Sequence, residues 1–248
     1  MLSDGDLILP DWPAPASVKS LQTTRTGGFS PAPYDSLNLG MHVGDDPLLV
    51  SRNRQQLNRY VPSEPVWLNQ VHGITVVDAA LAGCVPDADA AFARRSGTVC
   101  VTMTADCLPV LLCDRQGSVV AAAHAGWRGL CDGVIEATVE AMHAAPDTLM
   151  AWLGPAIGPQ AFEVGEEVRQ EFIAAHSDAI SAFTPSGQGK WLGNLYLLAR
   201  QRLNRLGMTA VYGGGTDRDF CTFTDEARFF SFRRDGASGR MATMIWLA

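Results

Sequence analysis

Three short segments hold the residues best suited to chemistry: LNQVHG (68–73), TADCLPVLL (104–112) and AAAHAGWRG (121–129). Each carries one donor for a transition metal: His72, Cys107 and His124. Two imidazoles and a thiolate with an open fourth position are the ligand pattern of a catalytic zinc ion. The same residues also fit a nucleophilic pair, with Cys107 as thiolate and His124 or His72 as base. Asp106 would oppose that thiolate unless it faces away, in which case it could orient a histidine. Taken singly, a histidine near a strand end is usually a satisfied polar residue, and a cysteine in an apolar run is usually core. The long gaps between the three keep spacing alone from choosing. Gly73 and Gly126 leave room for a close approach.

The elements around these residues narrow the choice. Residues 108–113 and 118–124 are apolar runs separated by DRQG (114–117). Asp and Gly at the two ends are turn residues and predict a tight antiparallel hairpin. With a two-residue turn, Asp114 faces Gly117 and Cys107 faces His124, their Cβ atoms roughly 4.5–5.5 Å apart. A three-residue loop with Gly117 left-handed shifts the pairing by one. Pro109, lacking a ladder N–H, predicts a bulge just after Cys107. The two side chains are neighbours in every version.

Further strands are expected at 17–24, 66–69, 75–78, 98–103, 149–153 and 209–212. Residues 228–233 and 240–246 read as a last β pair joined by DGASG. Helices are expected at 46–60, 132–143 and 165–176, and from 192 or 194 to 206. The polar loop 25–40 is long enough to be functional. Arg25 beside Gly27-Gly28 could hold an anion there. GPAIGP (154–159) is a rigid turn, and 185–190 a polar surface loop. The Gly-rich loop 213–219 is not a nucleotide fingerprint, because no helix follows at the needed spacing. Without repeats or a linker, residues 1–248 read as one domain of mixed sheets covered by helices.

Composition excludes several classes. A net charge of −7 gives no basic field for nucleic acid. No apolar run approaches the ~18 residues of a membrane span. The start, MLSDGDLILPDW, lacks the basic and apolar regions of a signal peptide. Six cysteines without a CxxC pair suit reduced thiols and a cytoplasmic location. Oligomeric state is not legible.

LNQVHG, TADCLPVLL, HAGWRG, GPAIGP and FFSFRRDGASGRMATMIW together resemble the YfiH/laccase-domain (DUF152) family. TRTGGFSPAPYDSLNLGMHVGDD and LARQRLNRLG extend the resemblance over nearly the whole chain. It implies an α+β fold of α/β/β/α layers and a metal triad at His72, Cys107 and His124. It also implies one of three activities. The first is zinc-dependent phosphorolysis of purine nucleosides with adenosine deamination, taking a nucleoside and phosphate. The second is copper-dependent, laccase-like oxidation of phenols, with copper in the same site. The third is editing of a cell-wall precursor by a hydrolase or amidase using Cys107. For the first, Arg25 is the candidate for phosphate, with Arg233 or Arg234 in reserve. Asn38 and Gln70 are candidates for ribose or base, and Asp106 for a general acid if its pKa is raised. The chain departs from common members at Gln160-Ala161, where two cysteines are frequent, and at Asn194, where Asp is usual.

Overall fold

The computed structural model describes residues 1–214 and 220–248. Strands β1 (Leu7–Ile8), β2 (Val18–Thr23), β5 (Cys100–Thr104) and β13 (Met241–Leu247) form an antiparallel sheet in the order β1-β2-β13-β5. A larger mixed sheet uses β3 (Val76–Asp78), β4 (Ala90–Ala93), β6 (Leu108–Asp114), β7 (Val120–Ala125), β8 (Leu149–Leu153) and β12 (Ala210–Gly213). Its order is β12-β8-β6-β7-β4-β3, parallel only at its two edge pairs. A small sheet holds β9 (Glu163–Gly165), β10 (Phe183–Gly187) and β11 (Lys190–Gly193). The helices are α1 (Pro47–Gln56), α2 (Trp127–Asp132), α3 (Val134–Ala141), α4 (Glu166–Ala175), α5 (Leu195–Arg205) and α6 (Phe232–Asp235). Among the described residues, no helix is long and apolar enough to cross a membrane.

Side-chain alternation sets the layers. On β6, Leu108, Val110 and Leu112 pack with Ile135, Val139, Leu198 and Leu203 of α3 and α5. The intervening Leu111 and Cys113 pack instead with Cys100, Ile245 and Leu247 of the other sheet. The outer face of that sheet, through Leu21, Val101 and Met244, meets Leu57 and Trp67 after α1. The result is the expected α/β/β/α stack.

The central hairpin closes differently from the tight turn. Asp114 pairs across a four-residue loop with Val119, so Cys113 faces Val120 and Pro109 faces His124. Gly117 is left-handed, at φ 66°. The register is displaced by two residues, which keeps every side chain on its expected face. No bulge forms at Pro109. The His124 N–H donates instead to the Asp89 carbonyl at 2.7 Å. Toward β7, Pro109 thus sits in a non-hydrogen-bonded pair, where side chains approach most closely. Toward β8 its carbonyl accepts the Gly154 N–H at 3.0 Å, and the Gly154 carbonyl, lacking a proline donor, takes the Tyr196 hydroxyl at 3.2 Å.

The loop is held by Asp114, which accepts from the Ser118 N–H and hydroxyl and from the Val119 N–H. Burial raises the Asp114 carboxyl, but these donors outweigh it and the net shift is downward. We expect Asp114→Ala to cost about 1–3 kcal/mol at neutral pH by stranding donors. A depressed folded pKa means the contribution is present above the unfolded value and lost as pH falls through the folded one. Urea midpoints of wild type and variant should therefore converge below pH ~4.

Four other expectations change. Residues 66–69 make only isolated bridges, at Val66 and Asn69. The helix at 132–143 is two helices, because Gly133 is left-handed at φ 106° between α2 and α3. Residues 185–190 belong to an exposed hairpin, β10–β11. The last β pair does not form. Ser231 caps α6, Phe229 and Phe230 are fully buried, and β13 inserts between β2 and β5. Residues 215–219 of the Gly-rich loop lie outside the described residues. At the start of α5, Asn194 accepts the Leu197 N–H at 3.0 Å, a capping role that Asp would also fill.

Candidate metal centre

His72, Cys107 and His124 converge, with one donor atom from each within 4.8 Å of the others. The Cys107 Sγ lies 3.8 Å from His72 Nε2. Ligands held at ~2.0–2.3 Å by one tetrahedral ion stand roughly 3.5 Å apart, so a slight contraction would close the set. The two imidazoles meet edge to face, with centroids 4.7 Å apart.

Asp89, fully buried at the start of β4's run, builds this geometry. Its Oδ1 accepts the His72 N–H at 2.9 Å and pairs with His124 Nδ1 at 2.8 Å. Its Oδ2 accepts the N–H groups of Val71 at 3.2 Å and Gly73 at 2.7 Å. One carboxylate therefore fixes the backbone of one histidine and the ring of the other. It also holds His72 in the left-handed region, at φ 60°, which a non-glycine residue reaches only when its surroundings compensate. An acceptor at Nδ1 assigns the proton there and turns Nε2 of His124 toward the site.

Burial alone pushes the Cys107 thiol up, but His124 and His72 outweigh it and bring its pKa down. Burial alone lowers His124, but the Cys107 thiolate and Asp89 reverse the shift upward. For Asp89 the His124 ring and the loop N–H groups overcome burial, holding the carboxyl below its usual range. Without a metal, the site thus favours a thiolate beside an imidazolium.

Gly126, at the start of α2, is required by this crowding. A Cβ there would lie 2.7 Å from His72 Cδ2 and 3.0 Å from Cys107 Sγ. Gly73 has no such restriction, its Cβ position being 3.5 Å from Asp89 Oδ2. We expect Gly126→Ala to spread the ligands and weaken metal binding by about 10–100-fold, the scale seen when ligand orientation is lost. Stability should change by only about 1 kcal/mol or less. Metal titration beside thermal melting of chelated protein separates the two effects.

Two cavities meet at Cys107. A polar one of about 270 Å³ holds the triad with His42, Gln70, Thr104 and Arg240. An apolar one of about 160 Å³ is lined by Trp127, Ile157, Phe162, Leu195 and Arg233. Both share Ala105, Cys107 and Phe232.

The polar candidates fall mostly elsewhere. Arg25 donates to the Asp35 carbonyl and carboxylate and to the Glu226 carbonyl, and it stacks on Phe230. It lines a separate depression that shares no residue with the triad's cavity. Its charge is already used, so the phosphate expectation for Arg25 is corrected. Asn38 is fully buried, with its amide spent on Gly40, Asp45 and the Arg240 N–H, and it cannot meet a ribose. Gln70 lines the cavity, but its amide pairs with both backbone groups of Met103 at 2.7 and 2.8 Å. Asp106 accepts from the Thr222 hydroxyl at 2.6 Å and the Arg233 N–H at 2.7 Å. It anchors the left-handed turn before Cys107 rather than a histidine, and no general-acid role follows. Arg234 is consumed by the carbonyls of Thr222, Phe223 and Phe229. Arg233 alone of the candidate arginines reaches the site, at the rim of the apolar cavity.

Sequence reading missed Asp89, His42 and Arg240. The second of two aspartates amid the alanines of DADAAFA was the available signal for the first. The long N-terminal loop does reach the site, but through His42, two residues past its assigned end.

The layered scaffold thus packs an N/S donor triad that could hold a metal ion between a polar and an aromatic cavity. The chain belongs to the YfiH (DUF152) family. A family model described as multi-copper polyphenol oxidoreductase laccase matches residues 19–248. A purine nucleoside phosphorylase of Pseudomonas aeruginosa is 56% identical over 241 residues, covering 97% of this chain and 98% of that protein. The Escherichia coli purine nucleoside phosphorylase YfiH is 53% identical, with coverage of 97% and 98%. A crystal structure of a Neisseria meningitidis DUF152 protein superposes with a TM-score of 0.94 at 52% identity, covering 98% and 99% of the two chains. YlmD of Geobacillus stearothermophilus superposes with a TM-score of 0.86 at 28% identity, covering 100% and 98%.

Proposed function

We propose that this protein is a zinc-dependent purine nucleoside enzyme that phosphorolyses adenosine- and inosine-type nucleosides and deaminates adenosine. The observation that carries the reading is the His72–Cys107–His124 cluster, oriented by Asp89, at the junction of a polar and an aromatic cavity. The curated relatives named as purine nucleoside phosphorylases support the substrate class. One thiolate and two imidazoles suit zinc, and a small contraction of the set would close it on one ion. When bound, zinc supplies Lewis-acid polarisation and a lowered pKa for water.

The protein's own groups do the rest. Cys107 enters as a thiolate, and Asp89 fixes the His124 tautomer. Trp127, Phe162 and Phe232 offer flat apolar surface to a purine and exclude water from it. Arg233, held by the Glu163 carbonyl at 2.7 Å, stands where it can meet the polar edge of the base.

The family description mentions several coppers, but the described residues hold one ligand cluster. Copper would compete for that cluster, so phenol oxidation in added copper fits a replaced metal. A second reading has a specific observation behind it. The Cys107–His124–Asp89 series has the order of a thiol nucleophile, its base and an orienting carboxylate. Such a thiolate could serve a hydrolase or amidase acting on a cell-wall precursor.

Elemental analysis of protein purified without added metal, followed by a nucleoside panel with and without phosphate, tests the first reading. Zinc near one per chain and phosphate-dependent release of base are expected. Full nucleoside turnover by metal-free protein would refute it.

A further inference from the structure

The polar cavity holds a guanidinium, that of Arg240, which forms no ion pair with a carboxylate among the described residues. The Arg240 guanidinium donates through Nη1 to the Ser238 and Gly239 carbonyls. Its Nε and Nη2 have no hydrogen-bond partner among the described residues, and it joins none of their ion pairs. Arg54 lies outside the cavity lining, with its Nε on the Leu39 carbonyl, its plane over Trp67 and the Glu64 carboxylate acting on it. His42 faces this cluster from the N-terminal loop, exposed, and makes no hydrogen bond to a described residue. Thr104 lines the same cavity, is 1% exposed, and its hydroxyl also lacks a partner. A half-buried guanidinium with two donor nitrogens unused, beside a buried hydroxyl without a partner, is a site for an oxyanion.

We infer that this cavity, between Arg240, His42 and the Thr104 hydroxyl, binds the inorganic phosphate consumed in phosphorolysis. The assignment rests on the purine nucleoside reading and locates its second substrate. The two cavities meet at Cys107, so a base in the aromatic one and a phosphate in the polar one lie on opposite sides of a ribose between them. That is the arrangement needed for displacement at C1′. A phosphate oxygen forms the new bond to C1′ as the C1′–N9 bond breaks. The bond's electron pair leaves on the purine, and the proton carried by hydrogen phosphate ends on the released base.

The test uses Arg240→Met, His42→Ala and Thr104→Val. Arg240 also holds its own turn, so that variant can lose stability. The other two remove no hydrogen bond to a described residue and keep the test interpretable. Phosphate KM should rise about 10–100-fold for Arg240→Met and about tenfold for His42→Ala, with smaller losses in kcat at saturating phosphate. Calorimetry with inorganic phosphate on chelated protein should show the same weakening without any turnover. Thr104→Val should weaken binding about tenfold or less. If wild type phosphorolyses nucleosides while His42→Ala and Thr104→Val keep its phosphate KM and binding, the site is wrong and the purine reading stands. If wild type binds phosphate through these residues but turns over no nucleoside, the purine reading fails instead. Adenosine 5′-monophosphate is titrated in parallel. Tighter binding of this ester than of free phosphate, lost in the same variants, would assign the cavity to a nucleotide and overturn the co-substrate role.

Discussion

Cys107→Ser is expected to lose metal and nucleoside turnover together. The thiolate is the one anionic donor in the cluster, and a neutral hydroxyl is a poor ligand at neutral pH. Affinity should fall by more than the ~10–100-fold that follows loss of an outer hydrogen-bond partner. The swap removes only a half-buried sulfur, so the fold should survive. Excess zinc should restore part of both metal content and turnover of adenosine or inosine. The thiol-nucleophile reading predicts the reverse pattern. There the serine variant stays inactive at any zinc concentration, and chelated wild type stays active. A copper oxidase would show no nucleoside turnover in any sample, with phenol oxidation tracking copper. Elemental analysis of the same samples used for kinetics distinguishes the three.

The parts of this molecule that follow local rules were legible in its sequence. The apolar runs of β6 and β8 and the capped starts of α1 and α5 fall within a residue or two of where patterning puts them. The neighbourhood of Cys107 and His124 was also legible, because a hairpin brings its strand ends together whatever its loop length. The loop itself was misjudged, since Asp114 binds three groups beyond Gly117 and closes a wider turn. What the sequence hid were pairings over long separations. Nothing local indicates that Asp89 reaches both His72 and His124, or that β13 enters between β2 and β5. Arg25 and Asn38 looked available because their partners, Asp35, Glu226 and the Arg240 N–H, are fixed only by the tertiary fold. Arginines that reach a cavity cannot be told by type from arginines that brace a loop. Arg240 and Arg234 belong to one short segment, yet only Arg240 lines the triad's cavity, while Arg234 is consumed by backbone carbonyls.

Asp89 is the residue on which the centre's geometry converges, and Asp89→Asn is expected to be nearly as damaging as loss of a ligand. Each carboxylate oxygen accepts two donors: Oδ1 takes the His72 N–H and His124 Nδ1, and Oδ2 takes the N–H groups of Val71 and Gly73. An asparagine has one acceptor oxygen, so its NH₂ must point at two of these donors in either rotamer. Both members of the Asp89–His124 pair are almost wholly buried, leaving no water to compensate. Breaking such a pair from one side costs roughly 3–5 kcal/mol. If the amide turns toward His124, the ring loses its Nδ1 acceptor and its tautomer is no longer fixed. If it turns toward the loop, Val71 and Gly73 are released and His72 leaves its left-handed conformation. Either way metal affinity should drop by about 10–100-fold. Zinc titration by competition with a chromophoric chelator measures that loss, and urea unfolding of chelated protein measures the stability cost separately. Wild-type zinc affinity in a folded Asp89→Asn protein would show that the histidines are held by something other than this carboxylate.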